Sequence, residues 1–227
     1  MLRIESARVV PLALAGDLPG LESWTDDTSE PRLVRLVRDP TLAPGELRAA
    51  VGLLHARGPM TVPEVQRALG SSRTATEAIV RRLVGAGVVL EAGFTPTDAL
   101  HVLGELDLGD RDASRRGAEV LGSRLGLNAE RFSQEVLRTV NERLEDALLE
   151  HVIKREMGEG AAGLLARRRS CELLDLDISL RTPIVGLGAA SRCFLPAVAQ
   201  ALGVEVVFPE HYEVGNAVGA AQLALSQ

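Results

Sequence analysis

The chain has 227 residues, a net charge of −6, 46% hydrophobic residues and only 3% aromatic ones. That balance fits a globular protein whose core is built from Leu, Val, Ile and Ala, and the acidic surplus excludes a protein whose whole surface tracks nucleic acid or anionic lipid. No run approaches the ~20 apolar residues that span a bilayer, and the charged start, Met1–Val10, is unlike a signal peptide, so a cytoplasmic protein without membrane partners is expected.

Ile4, Val9, Val10, Leu12 and Leu14 predict one strand at the start. Gly16–Glu30 is acidic and turn-rich, with Trp24 as a local packing anchor. Val34–Val37 predicts a second strand, closed by Asp39-Pro40. From Pro44 the pattern becomes helical: Leu47, Val51 and Leu54 share one face, and Gly58-Pro59 stops the helix. A second helix over Thr61–Gly70 has capping-box spacing at Thr61 and Glu64, with Pro63 in its first turn. After the Gly70-Ser71-Ser72 turn, Ala78, Ile79, Leu83 and Val84 mark a third helix, followed by a short strand at Val88–Leu90.

Thr95–Gly104 predicts a short helix capped by Thr97 or Asp98, with His101 as a surface or core histidine. An acidic loop, Glu105–Asp112, leads to helices over Ala113–Leu125 and Ala129–Met157. In the longer one Phe132, Val136, Val140, Leu144, Leu148 and Val152 recur at helical spacing, a core or interface stripe. Gly158-Glu159-Gly160 breaks it, and Arg167-Arg168-Arg169 is expected on a solvated face. The remainder predicts a βαβ unit with parallel strands: strand Pro183–Val185, turn Gly186-Leu187-Gly188, helix Ser191–Leu202, strand Val204–Phe208, then a loop and a closing helix over Glu213–Leu225.

Four constellations can carry chemistry. A Gly-x-Gly turn before a helix lets backbone approach a nucleotide or another anion, although it also serves as a plain turn. The Thr95-Pro96-Thr97-Asp98 lead-in is explained by capping alone. Glu210, His211 and Glu213 place two carboxylates and an acid–base histidine in one loop, with Glu213 also favoured by a helix start. The three-helix segment looks like a winged helix-turn-helix in which Arg73, Arg81 and Arg82, with Thr74 and Thr76, can meet phosphates and base edges and Val88–Leu90 can begin a wing. Glu64, Glu77 and Glu91 dilute its positive charge and no basic wing follows, which ranks DNA second. Cys171 and Cys193 lack CxxC spacing, which argues against zinc and disulfides and fits two small buried residues.

Phe94-Thr95-Pro96-Thr97-Asp98-Ala99-Leu100-His101-Val102-Leu103-Gly104, and later Pro183 through Ala221 with Gly186-Leu187-Gly188-Ala189 and Glu213-Val214-Gly215-Asn216-Ala217-Val218-Gly219-Ala220-Ala221, resemble the C-terminal part of hydantoinase A/5-oxoprolinase proteins. The inserted three-helix, winged-helix-like segment divides the chain into residues 1–43 (strand and acidic loop), 44–93 (winged-helix-like) and 94–227 (C-terminal lobe), and a mixed, helix-rich α/β fold is expected. The resemblance covers the last of these and implies an actin-like ATPase lobe there. It implies ATP-dependent opening of cyclic amides, with Gly186, Gly188, Ala189 and Ser191 on the adenosine side and Glu213 and Asn216 nearby. The sequence departs from the family in Leu187, which interrupts the glycine-rich turn, and in having no Asp-x-Gly-x-Thr phosphate loop near Met1. ATP and a divalent metal are therefore expected only together with an N-terminal lobe or subunit, and the catalytic residues are not assigned. A DNA-binding regulator with a metabolite-sensing lobe, and a non-catalytic assembly subunit forming homo-oligomers through the Phe132–Val152 stripe, are the competing expectations.

Overall fold

Local capping signals set most helix starts. In the computed structural model, which describes residues 9–16, 32–38, 45–168, 176–215, 217 and 219, Thr61 and Glu64 form the expected capping box ahead of α2 (Val62–Leu69), and Gly70 ends that helix in the left-handed conformation. Ser72 accepts from the Ala75 N–H and starts α3 (Arg73–Gly85). These follow α1 (Arg48–Arg57) and a two-residue strand, β3 (Met60–Thr61). Ile4, Trp24, Asp39-Pro40, Arg169, Cys171, Asn216 and the closing helix beyond Gly219 lie outside the described residues.

The chain forms a mixed, helix-rich α/β structure in two compact units, Met1–Leu137 and Arg138–Gln227. The boundaries expected at 43/44 and 93/94 both fall inside the first unit. The physical reason is its sheet, of order β1-β4-β2-β3, which draws β1 (Val9–Pro11), β2 (Arg32–Leu36), β3 and β4 (Val89–Gly93) together from across the segments. β2 is antiparallel to both β3 and β4, and β1 is parallel to β4. Strand side chains alternate between faces. Val34 and Val89 therefore face a core with Val51, Leu54, Val65, Val80 and Leu83 of the first three helices. Leu33 and Ala92 face the other way, onto Leu12 and Ala113. Contrary to the expected wing, β4 runs on to Gly93 between β1 and β2, and β2 occupies the place of a wing's returning strand.

The first strand ends earlier than its apolar pattern predicts. After Pro11 the chain turns into a 3-10 segment over Leu12–Leu14, because the Leu12 and Ala13 N–H groups donate to the carboxyl group of Asp98, at 3.2 and 2.9 Å, instead of to a neighbouring strand. Asp98 is fully buried in α4 (Pro96–Leu103). It also accepts from the Thr95 N–H (2.8 Å), the Thr95 hydroxyl (2.9 Å) and the Ser114 hydroxyl (2.7 Å). The N-cap is thus Thr95, with Asp98 reaching back to it, rather than Thr97 or Asp98 itself. Ser114 lies on α5 (Arg111–Ser123), which Asp110 caps. His101 is a core residue, fully buried.

Helix α6 (Ala129–Met157) ends at Gly158 and is followed by a 3-10 stretch, Glu159–Arg167. In the second unit Leu149 of α6 packs with Leu165, Ile184, Val198, Ala199 and Leu202. Arg168 does not sit on a solvated face: its guanidinium is 2.7 Å from the Glu145 carboxylate and donates to the Leu176 carbonyl at 3.2 Å. Both side chains are nearly buried, which strengthens a charge pair relative to one in water. The expected βαβ unit is present, as β5 (Ile184–Val185), α7 (Ser191–Ala201) and β6 (Val206–Val207), with the two strands parallel.

Candidate functional site

The glycine turn between β5 and α7 is closed on one side and open on the other. Gly186 is buried, and its N–H continues the ladder to the Val207 carbonyl at 2.9 Å. A Cβ there would run into the Phe208 ring, with Leu195 3.1 Å away. Gly188, by contrast, has φ +94° and nothing within 4 Å of where a Cβ would stand. Only glycine adopts that conformation without strain. The Gly188 N–H donates to the Tyr212 carbonyl at 2.6 Å, and the Gly188 carbonyl accepts from both the N–H (3.0 Å) and the hydroxyl (2.6 Å) of Ser191. The turn's two glycine N–H groups are therefore committed inside the protein. Neither is left to donate to a phosphate.

Ala189 and Glu213 are exposed, and Ser191 is half-buried with its hydroxyl on the Gly188 carbonyl. Asn216 falls outside the described residues. Val185, Leu187, Val207 and Val214 leave 46–58% of their surface exposed. Val185 and Val207 are register partners, so one face of the parallel pair is apolar and open. Phe208 and Tyr212 pack at 5.1 Å between ring centroids, and the Arg192 guanidinium lies 5.4 and 5.0 Å from the two rings. This aromatic–cation stack holds the 208–212 loop against the turn. Sequence patterning missed it because Arg192 and Phe208 lie on different elements.

His211 is exposed, in the left-handed conformation at φ 58°, with Nε2 3.7 Å from the Glu210 carboxylate. No nucleophile is paired with it among the described residues, so the acid–base expectation gains no partner. Cys193, expected to be buried, is exposed in the first turn of α7. Among the described residues no three of His, Cys, Asp and Glu gather as metal ligands, and no helix is long and apolar enough to cross a membrane. In the first unit Arg73, Thr74, Arg81 and Arg82 of α3 are exposed, whereas Thr76 is buried, its hydroxyl donating to the Ser72 carbonyl at 3.0 Å, and cannot reach a ligand. A hollow of about 530 Å³ beside α2 is lined by Arg57, Pro59, Met60, Glu64, Arg67 and Ala68; its one carboxylate is engaged by the Thr61 capping box.

Tyr212 is held above its ordinary value of 10.0, first by desolvation and then by its hydrogen bond with Glu213, against the nearby Arg192 charge. A raised folded value favours the protonated phenol. Its contribution to stability is complete below the unfolded value and is lost as pH climbs through the folded one. Tyr212 is the chain's single tyrosine, so phenolate absorbance reads it alone. The folded protein should titrate to higher pH than the denatured chain, and Glu213→Gln should close part of that gap. Coincident folded and denatured curves would contradict the described environment.

Comparison with protein-family models, with characterised proteins and with solved structures finds no match to this chain.

Proposed function

We propose that this chain is the C-terminal part of an ATP-dependent cyclic-amide hydrolase of the hydantoinase/5-oxoprolinase type, and that its second unit forms the adenosine-side wall of a nucleotide site. The observation that carries this reading is the open, unstrained-only-as-glycine surface at Gly188, at the head of a parallel βαβ unit. Helix starts that follow such strands are where nucleotides bind in α/β proteins. The apolar exposure of Leu187 and Val214 beside it suits the face of a purine ring.

The fit is one-sided. Gly188, Ala189, Ser191 and Glu213 would line adenosine, whereas Gly186 serves packing. With the glycine N–H groups already bonded, the phosphates and their divalent metal belong to a separate lobe. That lobe would be a partner of this chain. ATP, when bound, supplies the phosphoryl group that makes a cyclic amide carbonyl easier to attack. This chain's residues orient the nucleoside and exclude water from one side. The actin-like ATPase architecture belongs to the same proposal.

The test combines the chain with a candidate phosphate-binding lobe and measures ATP-dependent ring opening and the binding of a fluorescent ATP analogue. Neither part alone should turn over substrate. Gly188→Val should weaken nucleotide binding by about tenfold, from strain and from a side chain placed in the open space. Ring opening by this chain alone, or unaltered nucleotide affinity in the variant, would refute the reading.

A further inference from the structure

We infer that the outward face of α3 is a duplex-DNA-binding surface, the helix entering the major groove. This rests on the first unit alone and is independent of the nucleotide reading. The framework is that of a helix-turn-helix without a wing: three helices packed on a small sheet. Thr76, Val80 and Leu83 anchor α3 to the core, and Thr74, Ala75, Ala78, Arg81 and Arg82 are exposed on its other side, while Arg73 is exposed at the helix start.

Charge decides between DNA and a plain packing module. In the sequence, Glu64, Glu77 and Glu91 offset the arginines. In the fold all three are occupied elsewhere. Glu77 bonds Arg32 at 2.8 Å and Glu91 bonds the same guanidinium at 3.2 Å. Glu64 is held by Thr61 at 2.7 and 2.8 Å. α3 therefore turns no carboxylate of its own outward; Arg73 and Arg82 already hold bonds, and Arg81 has no ion pair among the described residues. Residues 32–93 contain nine arginines against five acidic residues in a chain whose net charge is −6, so positive charge is concentrated in this segment.

Shape agrees with charge. Thirteen residues make α3 about 20 Å long, and a helix fits a major groove about 12 Å wide. Ala75 and Ala78 let its backbone come close to base edges. Arg38 lies 3.5 Å from the Cβ position of Gly87, just past the end of α3, and places a further cation there. Arg38, Arg73 and Arg82 would meet phosphates, with Thr74 and Arg81 reaching the groove floor. β2 stands where a wing hairpin would return, so binding relies on the helix without a second, minor-groove contact.

Fluorescence anisotropy of the full chain with a short labelled DNA duplex, over a salt series, tests this. Three phosphate contacts predict a slope of about −3 in log affinity against log salt. Arg81→Glu should lower affinity by about tenfold or more, while Arg124→Glu, an exposed arginine past α5, should change it less than about twofold. If Arg81→Glu melts early, Thr74→Ala with Arg81→Ala replaces it. No binding at low salt, equal losses from the Arg81 and Arg124 variants, or equal affinity for double-stranded RNA of the same length would each overturn the proposal. A-form RNA has a major groove too narrow for a helix.

Discussion

Asp98→Ala is expected to destabilise the first unit by about 4–6 kcal/mol, seen as a large fall in the urea midpoint. The carboxyl group is fully buried and accepts five hydrogen bonds. Alanine would leave the Leu12 and Ala13 N–H groups and the Ser114 hydroxyl without acceptors. Each stranded buried donor costs about 1–3 kcal/mol, and domain stability is only about 5–15 kcal/mol in all. Asp98→Asn keeps one oxygen but turns an NH2 group toward donors, so it should recover about half of the loss. Hydrogen exchange at Leu12 and Ala13 should accelerate in both variants. A loss below about 1 kcal/mol for Asp98→Ala would show that these bonds do not hold the first strand in place.

Gly186→Val should cost the second unit about 3 kcal/mol, at the upper end for overpacking a well-filled site. The new side chain meets the Phe208 ring and Leu195. Phe208 in turn packs on Tyr212 and beneath Arg192, so the strain passes into the 208–212 loop. Adding Phe208→Ala makes room. The double variant should be less destabilised than the sum of the single ones, with a coupling of about 1–2 kcal/mol. Thermal melts of the four proteins give the cycle. Strict additivity would mean that Gly186 and Phe208 do not share a packing site.

Signals confined to a few neighbouring residues were legible in the sequence. Thr61 with Glu64 and Pro63 announces α2, and the apolar period of Phe132–Val152 announces α6. The parallel strands around Gly186-Leu187-Gly188 follow from one short βαβ pattern. Long-range pairing was not legible. The cap of α4 looks local, yet Asp98 also binds residues 85 and 86 positions away, and this ends β1 early. Arg168 in an arginine run reads as solvated until Glu145 of α6 is brought beside it. Cys193 is a small residue of a type that favours interiors, but the first turn of α7 places it outside. At the candidate site, the glycines are visible in the sequence, whereas their division into a packed Gly186 and an open Gly188 depends on Phe208, twenty-odd residues on.

The position of β2 has an architectural consequence. β2, one of the sheet's two inner strands, enters from ahead of α1, and its two hydrogen-bonded neighbours, β3 and β4, both come later in the chain. The three-helix module is therefore not a contiguous cassette. A graft beginning at residue 44 would leave an empty slot between two short strands, with Val34 missing from the interior. Any transplant of this module into another protein must carry the stretch from residue 32 with it.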